Sequence, residues 1–100
     1  MSPIPAVADG SETQAVTVRY WAAARSAAGV EADTLSVDGP ITLAEVHARA
    51  LALHPGTRLG DVLQVCSVLV GDRPVSSEEP GEVEVPPGAS VEFLPPFAGG

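Results

Sequence analysis

The strictest pattern in the chain is the alternation of residues 15–21, Ala-Val-Thr-Val-Arg-Tyr-Trp, which sets Val16, Val18 and Tyr20 on one face and Thr17, Arg19 and Trp21 on the other. A period of two is that of a strand with one buried face. The pattern returns at the far end of the sequence, where Val91 and Phe93 face one way and Glu92 and Leu94 the other. Two such strands can pair in parallel at the centre of a sheet if the intervening chain supplies a crossover.

That intervening chain offers one. Ala22–Ala28 is alanine-rich and stops at Gly29, which predicts two turns of helix with a left-handed cap. Residues 31–37 alternate again and end at the Asp38-Gly39-Pro40 breaker, a second strand paired with the first. Thr42 and Glu45 form a capping-box pair, and Leu43, Val46, Ala50 and Leu53 make an apolar stripe, so a main helix of about 12 residues is expected before Pro55-Gly56. Residues 57–65 show no dominant period. Residues 66–71, Cys-Ser-Val-Leu-Val-Gly, read as a third strand with Cys66, Val68 and Val70 on its core face, followed by a short return strand at 73–75. An acidic loop at 76–84 and a Pro86-Pro87-Gly88 turn lead to the last strand. This order predicts an α+β fold. A mixed sheet of four to five strands carries one main helix on one face, with a short helix after strand one, which is the β-grasp arrangement.

At 100 residues the chain has room for one domain. We expect it at 15–95, after a flexible leader at 1–14 that mixes Pro, Gly and small polar residues and before an extended tail at 96–100. Thirteen acidic residues face five arginines and no lysine, a formal charge of −8. Nucleic acid is thereby excluded as a partner, since phosphate neutralisation needs clustered cations. The complementary partner is a basic protein surface. Without lysine, the chain also cannot accept another carrier's C-terminus on a side chain. Cys66 is the only cysteine, which excludes an internal disulfide and points to a reducing compartment. No apolar stretch approaches the roughly 18 residues of a membrane span, and no export signal opens the chain, so a cytoplasmic protein without membrane contact is expected.

The chemistry is expected in the run Leu94, Pro95, Pro96, Phe97, Ala98, Gly99, Gly100. Each proline lacks a ladder donor and pushes the residue before it towards extended geometry, so strand pairing stops and the chain leaves as an arm. Two glycines without side chains let a terminal carboxylate pass down a narrow channel. A carboxylate is a poor electrophile, so such a tail implies activation by ATP on a partner enzyme, followed by displacement of AMP by sulfide or a persulfide.

The ending Val91-Glu92-Phe93-Leu94-Pro95-Pro96-Phe97-Ala98-Gly99-Gly100 resembles the tail of molybdopterin synthase small subunits. Tyr20-Trp21-Ala22-Ala23-Ala24-Arg25-Ser26-Ala27-Ala28-Gly29 resembles their opening aromatic, alanine, arginine and glycine pattern. The resemblance runs from about Val16 to Gly100 and departs at Ser26, where the family has an acidic residue, and at Gly88-Ala89-Ser90, where its turn is more acidic. It implies that Gly100 is adenylated, becomes a thiocarboxylate and donates sulfur to cyclic pyranopterin monophosphate, with Gly99 and Ala98 as slim neighbours and Phe97 as an apolar anchor. Pro95, Pro96 and Leu94 would form the rest of the partner-binding arm. The implied partners are a molybdopterin synthase large subunit, an adenylating enzyme of the E1 type and a sulfur donor protein. ATP would be used by the adenylating enzyme, and no cofactor would be bound permanently.

Other residues offer less. His47 and His54 lie seven apart on the expected helix, about 10.5 Å along its axis, which is awkward for one metal, so both read as partly exposed helical histidines and no metal site is expected. Cys66 reads as packing. Arg25 is either solvated or paired with an acid. The cluster Glu78, Glu79, Glu82 and Glu84 reads as a solvated loop that could meet a basic rim on a partner. Two alternatives stand beside the molybdopterin reading: sulfur delivery to thiamin or cysteine synthesis, and a ubiquitin-like modifier or interaction module without sulfur transfer.

Overall fold

The computed structural model describes residues 14–96. Strand β1 (Ala15–Tyr20) keeps the alternation of its sequence, with Val16, Val18 and Tyr20 buried and Arg19 exposed. The chain then turns sharply, Ala22 taking a left-handed φ of +50°. Helix α1 (Ala22–Ala28) buries Ala24 and Ala28 and ends at Gly29, whose φ of +80° brings its N–H 2.8 Å from the Arg25 carbonyl. Strand β2 (Ala32–Ser36) returns antiparallel to β1, with Leu35 opposite Val16 and Asp33 opposite Val18.

Strand β3 (Ile41–Thr42) leads directly into helix α2 (Leu43–Leu53). Thr42 Oγ1 accepts from the Glu45 N–H at 3.1 Å, and the Leu43 N–H, another donor left free by the helix start, reaches the Val83 carbonyl at 2.9 Å. Leu43, Val46 and Ala50 are buried as expected, but Leu53 is 50% exposed. At about 100° per residue Leu53 falls some 80° from Leu43, on the edge of the stripe, while His54 falls within about 20° of it and turns inward.

Residues 57–65 hold an unforeseen short helix, α3 (Leu59–Leu63), which buries Leu59 and Leu63 one turn apart. Strands β4 (Ser67–Val70) and β5 (Arg73–Pro74) form the expected hairpin, with Cys66 just outside its first strand. The stretch 76–84 is not a plain solvated loop. It contains a 3-10 turn (Pro80–Glu82), and Val83 and Val85 are buried on either side of Glu84. Strand β6 (Glu84–Val85) pairs antiparallel with β3 in a small second sheet.

The last strand, β7 (Ser90–Leu94), lies between β1 and β4 in a five-stranded sheet of order β2-β1-β7-β4-β5. Its pairing with β1 is parallel, with Val91 beside Val18 and Phe93 beside Tyr20, and its pairing with β4 is antiparallel. The inner faces of these strands pack with Ala24, Val46, Ala50, Leu59 and Leu63 in one buried cluster. A mixed sheet with terminal strands parallel at its centre and helices on one face is a β-grasp. No helix among the described residues is long and apolar enough to cross a membrane.

Candidate functional site

The central strand β7 delivers the chain to Pro95, half-buried, and Pro96, exposed. The tail residues Phe97, Ala98, Gly99 and Gly100 lie outside the described residues. What the structure places is the root of the tail, Leu94 to Pro96, and the end of β1 holds the strand that leads to it from both faces. The Trp21 N–H donates to the Phe93 carbonyl at 3.2 Å. On the open face of the sheet, Trp21 Nε1 donates to Glu92 Oε1 at 2.9 Å, and the Arg19 guanidinium sits 5.5 Å from the centroid of the same indole. That stacking is a cation–π contact.

On the buried face Tyr20 and Phe93 stack with centroids 6.3 Å apart and planes 13° from parallel. His47 tilts against Phe93 at 6.1 Å, and His54 meets Tyr20 edge-on at 5.9 Å. A polar cluster closes this row: Tyr20 donates its hydroxyl hydrogen to Asp33 Oδ2 at 2.8 Å, and His54 Nε2 lies 2.5 Å from the same oxygen. Burial first, then the Asp33 carboxylate, pushes the Tyr20 hydroxyl well above its ordinary proton affinity, so it stays a donor.

His47 therefore packs against Phe93 on the core side of α2, whereas His54, the C-cap residue of that helix, packs on Tyr20 and meets Asp33. No group of three or more His, Cys, Asp or Glu side chains suited to a metal ion occurs among the described residues. Cys66 is half-buried, with Sγ 3.3 Å from the Val62 carbonyl, and burial pushes its thiol from 9.0 up to about 11. Arg25 pairs with Glu31 of this chain at 3.2 Å, both side chains well exposed. Glu78 accepts from Arg73 at 2.9 Å, whereas Glu84 belongs to β6, so the four acids do not form one continuous loop cluster.

Leu94 faces the open side, half-buried opposite Ser67. Leu69, opposite Glu92, is its diagonal neighbour on that face, and Pro74 lies opposite Leu69. These three make a short apolar strip beside the root, with Trp21, 41% exposed, on the other side of β7. Sequence reasoning did not find the Trp21–Glu92 bond, because the two residues are 71 positions apart. The one available signal was that Trp21 and Glu92 occupy the same outward phase of two strands expected to pair.

Residues 18–100 match the model of the ThiS family. Among solved structures, SAMP1 from Haloferax volcanii superposes with a TM-score of 0.70 at 20% identity, over 86% of this chain and 99% of that one. A protein from Pyrococcus furiosus described as molybdopterin converting factor, subunit 1, gives 0.63 at 19% identity over 83% and 98%. The HVO 2177 protein of Haloferax volcanii gives 0.66 at 21% over 99% and 100%. At these identities the likeness is one of fold. No curated protein matches the chain.

Proposed function

The chain belongs to the ThiS family of ubiquitin-like sulfur carriers, and from that premise we propose that it is the sulfur-carrying small subunit of a molybdopterin synthase, with the carboxylate of Gly100 as its working group. The observation that carries the reading is the course of β7. The central strand runs without a loop into Pro95-Pro96 and so towards Phe97, Ala98, Gly99 and Gly100. Helix α1, directly after β1, and the Pro-Pro-Phe before the glycines favour molybdopterin over the other sulfur pathways.

In this reading the Gly100 carboxylate attacks the α-phosphorus of ATP on an adenylating enzyme and pyrophosphate leaves. Hydrosulfide then attacks the acyl carbon, the C–S bond forms, the C–O bond to phosphate breaks, and AMP departs. The large subunit receives the thiocarboxylate, whose sulfur attacks a carbon of the pterin precursor; the C–S bond forms as that carbon's C–O bond breaks, and the oxygen leaves as water or on the phosphate. Water cleaves the resulting thioester and returns the carboxylate. The chain contributes no acid or base to these steps. It supplies a slim acyl group on an arm whose root is fixed, so that the reacting carbon is presented in a restricted volume.

The test is the mass of the C-terminal peptide after incubation with ATP, sulfide and an adenylating enzyme active on another carrier. A gain equal to the difference between sulfur and oxygen supports the carrier, and conversion of cyclic pyranopterin monophosphate on adding a large subunit supports the customer. A tail unchanged by several such enzymes overturns the reading. A second reading, a protein modifier, is suggested by the name of a structural neighbour, small archaeal modifier protein 1. It requires amide-linked conjugates of Gly100 on lysines of other proteins, and their appearance without a thiocarboxylate selects it.

A further inference from the structure

On the helix side of β7, beside the root of the tail, the core opens into a cleft of about 230 Å³. Leu43, Leu63, Val75 and Phe93 lie at its back, each no more than 4% exposed, and half-buried Val68 with exposed Gln64 and Ser76 supplies its accessible wall. His47 and Cys66 also line it, and burial disfavours the charged form of each. Burial lowers the proton affinity of the imidazole and pushes the thiol up to about 11. Charge appears only at the lip, where Glu78 borders the cleft; exposed Glu79 follows it in sequence, between the lining residues Glu78 and Pro80, and exposed Glu82 lines the neighbouring recess with Thr42 and Glu45. Glu78 is already engaged by Arg73, but Glu79 and Glu82 make no ion pair among the described residues.

An uncharged recess backed by the apolar core, under an acidic lip, is complementary to an apolar side chain flanked by cations. Anchors of that kind, seated in desolvated pockets and ringed by polar contacts, supply most of the affinity in many protein interfaces. The chain's net charge of −8 favours the same basic partner during approach. Phe93 is both the back of the cleft and the second residue before Pro95, so whatever sits there is held next to the arm. We propose that this cleft receives an apolar side chain, flanked by Lys or Arg, from the enzyme that adenylates the tail. The proposal rests on the carrier reading above and adds a contact on the helix side of the molecule, away from the open face of the sheet.

Cys66, the only cysteine of the chain, reports occupancy of the cleft at one atom. With an adenylating enzyme that charges the wild-type chain, alkylation of Cys66 by N-ethylmaleimide, read on the carrier's own peptide by mass, slows about tenfold or more at saturating enzyme. The exposed double variant Glu79→Lys, Glu82→Lys keeps the wild-type Tm, raises KM in the charging reaction about tenfold and weakens its salt dependence, with kcat unchanged. Unprotected Cys66 together with an unchanged KM overturns the docking site while leaving the carrier intact. Faster labelling of a chain ending at Pro96, without enzyme, assigns the cleft to the chain's own tail, and labelling that slows as the chain is concentrated assigns it to a second copy; either overturns the proposal. Failure of every adenylating enzyme to charge the wild-type chain removes the carrier reading and this docking site together, an outcome distinct from charging without protection.

Discussion

Asp33 accepts from the Tyr20 hydroxyl and lies against His54 Nε2 through a single oxygen, so it joins the end of β1, the middle of β2 and the end of α2. Asp33→Ala leaves the buried Tyr20 hydroxyl and the half-buried His54 ring without their partner. The expected cost is about 1–3 kcal/mol in urea unfolding, with Tyr20→Phe nearer 1 kcal/mol because the carboxylate keeps His54. Cys66 gives a pH dependence. Its thiol proton is held more tightly when folded, so its contribution to stability is complete below pH 9 and is lost as pH rises from 9.0 towards about 11. Cys66→Ala should flatten that alkaline limb of the unfolding profile. Alkylation of the wild type should also accelerate up to about pH 11, since the thiolate is the nucleophile. Much of this scale was not legible in the sequence. Alternation placed Val16, Val18, Val91 and Phe93 correctly, but which carboxylate meets which hydroxyl depends on strand register, and register is set by the whole sheet.

Elements were readable where they carry their own punctuation. Gly29 ends α1 at φ +80°, and a β-carbon there would meet nothing within 4 Å, so Gly29→Ala isolates backbone strain. It should cost about 1 kcal/mol by thermal unfolding. Thr42→Ala, removing the oxygen that accepts from Glu45, should cost about 1 kcal/mol as a lost N-cap. The elements missed lack such marks. Helix α3 has five residues and no side-chain cap, too short for a period to emerge. Strands β3 and β6 are two residues each and exist because they meet. In residues 82–85, Glu-Val-Glu-Val, the alternation was present, but the charges drew the reading towards a loop. The burial of Val83 and Val85 shows that the apolar partners were the stronger signal.

At the scale of the molecule, the β-grasp was deducible because its first and last strands carry the same pattern and must find each other across the chain. That dependence makes β7 indispensable. A chain ending at residue 89 should show no cooperative thermal transition, and Val91→Ala, at a site with no exposed surface, should cost about 2–3 kcal/mol. A chain ending at Pro96 should instead keep its Tm while losing the charging reaction. The candidate site divides in the same way. The two glycines behind two prolines stood out as composition, whereas the held end of β7 and the cleft behind Phe93 gather residues from β1, α2, α3, β4 and β7 that no local pattern connects. The parallel pairing of β1 and β7 has a mechanical consequence as well. A pull on the tail runs along β7, so it loads the hydrogen bonds to β1 and β4 side by side in shear. Bonds loaded together share the force, and those loaded in succession open one by one. The fold therefore resists a pull applied at Pro96 along β7 most strongly.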